Sequence, residues 1–218
     1  LTTSGGHATL ASQYHAVLYA LAARAPAGLT GRDLVTWIAE EARRYVPDGS
    51  KTADIVDFVL ASFLANPDPD DWESTRDAYH DRYQANAAAN GFVYRAWYES
   101  SINFASSILA LLYGEGDLKR SIQVGTLSGW DSDNPTATVG GLLGLLQGID
   151  GVHEAFPAQA LSDRYWIDRT RDAMPDYLPD DPAAEDTFTM LADRLRAIVD
   201  RAVIDGGGAI DSESGAWL

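Results

Sequence analysis

Three oxygen-bearing side chains stand close together in the middle of the chain, at Asp131, Asp133 and Asn134. Carboxylate and amide oxygens are the ligands that hard cations such as Mg²⁺, Mn²⁺ or Ca²⁺ take in proteins. The alternation Asp-x-Asp-Asn directs these oxygens into one turn, directly before a helix without charged residues. Two close carboxylates at a buried helix repel each other and lose solvation, which raises a pKa unless a cation offsets their charge. One hypothesis is therefore a metal site at this turn.

The same acids have an interpretation that needs no metal. Negative side chains near a helix N-terminus are favoured by the helix dipole. The chain carries 32 Asp and Glu residues, so an Asp-x-Asp pair is a weak pattern in it. On spacing alone, solvated loop acids are the better interpretation.

Apolar side chains recur at helical spacing along most of the chain. The pattern predicts helices near residues 8–24, 30–46, 50–66, 72–79, 98–113, 118–127, 135–148 and 186–202, with a further short helix near 164–169. No strand alternation and no fixed repeat interrupts them. The sequence therefore predicts an all-α fold, a compact multi-helix bundle.

Two of these helices have unusual compositions. The helix at 98–113 is apolar over most of its circumference, which indicates a position in the middle of the core. The helix after Pro135 has Gly140, Gly144 and Gly148 at four-residue spacing. This spacing predicts a close approach of another helix, the deepest burial in the protein, and a loss of about 1–3 kcal/mol or more for Gly144→Leu. Asn134 is predicted to cap this helix, and Thr30 with Asp33 to cap the helix at 30–46.

Composition limits the classes of protein to consider. The 218 residues, 46% of them hydrophobic, favour one domain, and the net charge of −16 opposes binding to nucleic acid. Since the chain has no Cys, a metal must take oxygen or histidine ligands. No stretch is apolar enough for a membrane span, so we expect no membrane partner. The pattern favours a soluble cytoplasmic protein, with secretion as the alternative if a leader has been removed.

The segment from Gly129 to Gly144 resembles the Gly-x-Asp-Thr-Asp segment and the following Gly- and Ala-rich helix of the ADP-ribosylglycohydrolase family. Residues 101–105 and 110–117 resemble the buried helix and turn that precede this motif. His7, ahead of the helix at 8–24, resembles the Thr-His segment of the family. The resemblance covers about residues 1–157.

This resemblance implies an all-α domain with a binuclear magnesium centre, which hydrolyses a glycosidic bond at the anomeric carbon of an ADP-ribosyl group. The substrate is then a small molecule or an ADP-ribosylated partner. Asp131, Asp133 and Asn134 match the family's metal ligands. His7 matches a histidine near the ribose, and Asn103 and Trp130 are further candidates for substrate binding. Trp130 stands where many members have Gly, and it could stack on a ring. No catalytic residue is assigned.

One part of the family pattern has no counterpart in residues 1–218, namely the N-terminal Thr-Asp-Asp motif with its catalytic acid. We therefore expect these residues to form one all-α domain that is the later portion of a larger one, with the other ligands on an upstream segment or a companion chain. Two alternatives stay open at this stage. One is a non-catalytic helical protein that keeps the family core for binding or structure, and the other is a hydrolase for a related glycosidic or nucleoside substrate.

Overall fold

The structure, a computed structural model, describes residues 5–163 and 187–218. The helices are α1 (His7–Ala22), α2 (Gly31–Arg43), α3 (Lys51–Ala65), α4 (Trp72–His80), α5 (Ser100–Gly114), α6 (Leu118–Leu127), α7 (Asp133–Ala155) and α8 (Phe188–Asp205). A π-helical turn, Asp81–Ala85, continues α4, and a 3₁₀ turn spans Ala88–Asn90. The all-α prediction is confirmed. The helix expected near 164–169 and residue 186, where the last helix is expected to begin, lie outside the described residues.

The chain divides into two compact units, Leu1–Pro157 and Ala158–Leu218. The first unit carries α1 to α7, and the second carries α8. The single domain expected from the sequence therefore stays a prediction. Across the two described ranges, no helix is both long and apolar enough to cross a membrane.

Helix α5 forms the centre of the first unit. Every residue from Ser101 to Gly114 is buried, and α1, α2, α3, α4, α6 and α7 all pack against this helix. Its buried hydroxyls have partners, because Ser106 Oγ donates to the Ile102 carbonyl at 3.1 Å and lies 2.9 Å from the Tyr79 hydroxyl. The predicted central position of this helix is confirmed.

The predicted helix caps differ from the observed ones. Helix α7 begins at Asp133 with Ser132 at the N-cap, so Asn134 lies inside the first turn and the cap predicted there is wrong. No side chain caps this helix, and within its first turn Thr136 Oγ1 donates to the Ser132 carbonyl at 2.6 Å. Thr30 does precede α2, but its side chain makes no capping hydrogen bond. Pro135 is still accommodated, because backbone N–H groups of the first turn have no partner within a helix.

The three glycines of α7 at four-residue spacing, Gly140, Gly144 and Gly148, do not mark a close helix contact. A Cβ at Gly140 or Gly144 would meet only side chains at 3.9 Å and 4.0 Å, which are ordinary distances. Gly148 has a φ of +67° and kinks the helix. Close approaches to α7 are found at Gly125 of α6, where a Cβ would lie 2.9 Å from Thr136 Oγ1, and at Gly141, where a Cβ would lie 2.5 Å from the Tyr19 hydroxyl of α1. The prediction that α7 is the most buried helix is also wrong, since only Pro135, Val139, Leu142 and Leu143 of this helix are buried.

We expect Gly125→Leu to lower the free energy of unfolding by about 1–3 kcal/mol, because the new side chain would force α6 away from α7. Gly144→Leu is the matched control, since its Cβ has room and its position is half-exposed. This expectation replaces the sequence-based one for Gly144. Urea unfolding of both variants measures the difference. Equal losses for the two variants would show that the α6–α7 contact is not tight.

Candidate functional site

A cleft of about 220 Å³ opens between α1, α5 and the beginning of α7. Its polar side chains come from three parts of the chain. They are Ser12 and His15 of α1, Tyr98 before α5 with Ser100, Asn103 and Ser107 of α5, and Asp131 and Asn134 at the start of α7. The cleft therefore contains Asp131 and Asn134, two of the three predicted metal ligands, together with Asn103, a predicted substrate-binding residue.

Asp131 lines this cleft, and Asp133 follows two residues later at the first position of α7. The two carboxyl groups are close enough for Asp133 to shift the pKa of Asp131. Asp131 is partly buried and Asp133 is exposed. Partial burial raises the pKa of the Asp131 carboxyl, and the Asp133 carboxylate raises it further. Both causes disfavour the charged form of Asp131, and both would be offset by a nearby cation.

Asn103 connects the buried helix α5 to this acidic turn. Its Oδ1 accepts the Asp131 backbone N–H at 3.0 Å, and its Nδ2 donates to the carbonyls of Trp97 and Glu99 at 2.9 and 3.0 Å. Both amide protons and the oxygen are therefore engaged within the protein. Asn103 lines the cleft and holds Asp131 in position, and its direct contact with a substrate stays a prediction.

Trp130 lies beside the acidic turn, but its ring packs elsewhere. The indole N–H donates to Gln84 Oε1 at 2.6 Å, and the ring lies against Tyr79 and His80 at the end of α4. Trp130 is not among the residues that line the cleft. The ring packs against α4, and contact of Trp130 with a substrate stays a prediction.

His7 directly precedes Ala8, which lines the cleft. Its Nε2 is 3.1 Å from Ser100 Oγ and 3.2 Å from Ser101 Oγ, and Ser100 lines the cleft. Partial burial lowers the pKa of His7, and nearby Lys51 lowers it further, against an opposing effect of Glu99. The neutral form of His7 is thus favoured, and the hydroxyls of Ser100 and Ser101 hold its ring at the beginning of α1. Its proximity to a ribose stays a prediction.

His15 is a cleft residue that the sequence analysis did not identify. Its ring packs edge-on against Phe104, with the ring centroids 5.3 Å apart. Burial lowers its pKa to about 4, despite a hydrogen bond to the Ala11 backbone, so the imidazole is neutral at pH 7. The sequence does indicate that His15 lies on the same face of α1 as the other cleft residues, because positions 8, 11, 12 and 15 share one helical face.

The family profile described as ADP-ribosylglycohydrolase matches residues 1–192. The chain belongs to the ADP-ribosylglycohydrolase family. The match extends past the 1–157 covered by the motifs and ends within α8. No curated protein and no solved structure matches the chain.

The acidic turn of this ADP-ribosylglycohydrolase family member offers part of a coordination sphere. In the described ranges, no three His, Asp or Glu side chains converge as a metal cage. Asp131, Asp133 and Asn134 nevertheless provide two carboxylates and an amide, and Asp131 and Asn134 face one cleft. Mg²⁺ is often bound through only one or two carboxylates, with waters and substrate oxygens completing the octahedron. The donor set therefore fits a hard divalent cation in its chemistry.

We expect the stability of this protein to fall between pH 6.5 and about pH 4, in part because of His15. The unfolded chain takes up a proton near the ordinary pKa of 6.5, whereas the folded chain holds His15 neutral down to about pH 4. Above pH 6.5 neither state binds this proton, so the contribution to stability is complete there and is lost as the pH falls. His15→Phe keeps a ring against Phe104 and should make the free energy of unfolding less dependent on pH in this interval.

Urea unfolding at pH 7.5, 6.0 and 5.0 measures this dependence. His153→Phe is the control, because His153 is exposed on α7 and outside the cleft. It should keep the wild-type slope of stability against pH. An unchanged slope in His15→Phe would contradict the burial of a neutral imidazole at this position.

Proposed function

We propose that this chain is a metal-dependent glycohydrolase that cleaves a glycosidic bond of an ADP-ribosyl or related ribosyl substrate. Family membership supports hydrolysis of this kind. The observation that carries the proposal is the pair of carboxyl groups, Asp131 and Asp133, at the acidic segment that resembles the family's metal ligands. Asp131 lines the cleft, and its backbone N–H donates to the buried Asn103.

In this proposal Asp131, Asp133 and Asn134 hold Mg²⁺, with Mn²⁺ or Ca²⁺ as alternatives of the same ligand preference. When bound, a divalent cation supplies Lewis acidity toward water and the ribose hydroxyls. It also reduces the repulsion between a diphosphate and a chain of net charge −16. All of these donors come from one turn and the first residues of α7.

The remaining side chains of the cleft bind and orient the ligand. His15 is neutral, and its ring lines the cleft beside Ser12 and Ser107, so this wall can accept hydrogen bonds from ligand hydroxyls without adding charge. A cavity of about 220 Å³ accommodates a ribose rather than a whole ADP-ribose. The diphosphate and base would then extend out of the cleft. No side chain is assigned as the catalytic acid.

A second candidate function is a non-catalytic helical protein that uses the same cleft for binding or keeps it for structure. One observation favours it, namely that the described residues assemble no group of three His, Asp or Glu side chains for a metal. Such a protein would keep its melting temperature when divalent cations are added or removed. It would also lose little when Asp131 is replaced.

The proposal predicts that Asp131→Asn weakens Mg²⁺ binding by at least about tenfold, the equivalent of 1.4 kcal/mol. The change removes one charge, while the backbone N–H that Asn103 accepts stays in place. Calorimetric titration with Mg²⁺, with and without ADP-ribose, measures the affinity. Release of ADP-ribose from an ADP-ribosylated peptide, followed by chromatography, measures activity and should fall in parallel.

The matched control is Asp150→Asn, an exposed acid on α7 that does not line the cleft. It should bind Mg²⁺ and ADP-ribose like the wild type. If wild type binds no divalent cation and releases no ADP-ribose, the second candidate function is the better one. If release proceeds equally with and without divalent cations, the glycohydrolase is metal-independent and the role of the acidic turn is wrong.

A further inference from the structure

We propose that Trp130 is a positioning residue. Its indole binds in a socket formed by Tyr79 and His80 of α4 and Gln84 of the π-helical turn, and this contact keeps the adjacent Asp131 carboxylate close to Asp133. Gln84 thus affects how tightly the acidic turn binds a cation, although Gln84 is not itself a ligand and acts only by holding Trp130. The inference rests on the proposed function in one respect only, namely that the ligand of the acidic turn is a divalent cation.

The backbone at Trp130 has a conformation that its own side chain disfavours. Its φ is +57°, and among the described residues only Glu115 shares such a positive value without being Gly. Left-handed backbone is costly for a bulky residue and persists only where the surroundings enforce it. Gly129, with a φ of +101°, precedes it and completes the sharp turn. Something must therefore hold Trp130 in this conformation.

The socket supplies that constraint through three contacts on one side of the turn. The indole N–H donates to Gln84 Oε1 at 2.6 Å. The ring stacks on His80, with centroids 6.1 Å apart and an angle of 29°, and lies 5.5 Å from the Tyr79 ring. Tyr79 is itself fully buried and hydrogen-bonded to Ser106 of α5. The indole is thus fixed to the core of the first unit.

The π-helical turn places Gln84 at this socket. The turn Asp81–Ala85 follows α4 without a break, and an isolated π turn is a rare feature that is frequent at functional sites. The neighbouring Tyr83 anchors it, because its ring is buried and its hydroxyl donates to Asp54 Oδ1 at 2.9 Å. Arg82 adds an ion pair with Asp54 at 2.6 Å. Arg82 and Tyr83 are therefore both held by Asp54 of α3, and the next residue, Gln84, faces Trp130.

A second anchor fixes the other side of the same turn. Asn103 accepts the Asp131 backbone N–H at 3.0 Å, so Trp130 and Asp131 are each tied to a different helix. Between these anchors the Asp131 backbone is held in place, which sets where its side chain leaves the turn. The two carboxyl groups would otherwise separate, since like charges repel. The socket therefore preorganises the pair, and a binding cation does not have to bring the groups together.

The inference predicts that Gln84→Met loosens the acidic turn without unfolding the protein. Methionine keeps the length of the side chain but cannot accept the indole N–H. We expect the Asp131 backbone amide to exchange with solvent about tenfold faster by NMR in the absence of divalent cations, while the amides of α5 keep their rates. Mg²⁺ affinity measured by calorimetry should fall by about tenfold, although the substitution removes none of the proposed metal ligands.

Three further variants make the test specific. Gln84→Glu keeps an acceptor oxygen and should restore slow exchange at Asp131. Gln123→Met is the control for a glutamine on the exposed side of α6. Trp130→Gly suits the positive φ but removes the indole, so it should weaken Mg²⁺ binding even though the backbone strain is relieved.

The outcomes separate this inference from the proposed function. If exchange at Asp131 accelerates in Gln84→Met but neither this variant nor wild type binds Mg²⁺, the positioning role stands and the metal assignment falls. If exchange at Asp131 is unchanged, or if all α5 amides accelerate to the same extent, the positioning role is wrong. Wild-type Mg²⁺ affinity in Trp130→Gly would also overturn it.

Discussion

The burial of α5 is the constraint on which the rest of the first unit depends. A helix buried from Ser101 to Gly114 must be surrounded on all sides, which explains why six other helices pack against it. Its polar side chains must also be satisfied within the protein, because an unpartnered polar group in a core is costly. Asn103 meets this requirement by accepting the backbone N–H of Asp131. The most buried helix thereby fixes the most chemically distinctive turn.

Charge is distributed so that this turn lacks a cationic side chain. Several arginines of the first unit are engaged in ion pairs or carbonyl contacts that join helices, as Arg32 does with Glu115 and the carbonyls of Phe63 and Asn66. No Arg or Lys of the described residues forms a salt bridge with Asp131 or Asp133. The two acids therefore face each other without compensation from the described part of the protein, which is the electrostatic condition for attracting a cation.

The sequence predicted the helices well because helical periodicity reports which side chains face the core, and α5 is the clearest case. It also predicted the acidic turn, because the motif from Gly129 to Gly144 is local in the chain. It failed where the answer depends on packing between distant segments. The spacing of Gly140, Gly144 and Gly148 fitted a close helix contact, but the close contacts of α7 lie at Gly125 of α6 and at Gly141, positions that no spacing rule distinguishes. The cap at Asn134 failed because the helix begins one residue earlier, at Asp133, with Ser132 at the N-cap position.

The placement of Trp130 shows the same limit at the candidate site. An aromatic residue next to two acids fits a ligand platform, and only the folded chain reveals that α4 and its π turn occupy the ring. The positive φ at Trp130 and the closeness of the two carboxyl groups are both unfavourable when the turn has no ligand. The carboxyl pair does not contribute to the core, since Asp133 is exposed and Asp131 only partly buried. Two unfavourable features in adjacent residues, each held by a separate hydrogen bond to a different element, are what a preorganised binding turn requires and what a solvated loop does not.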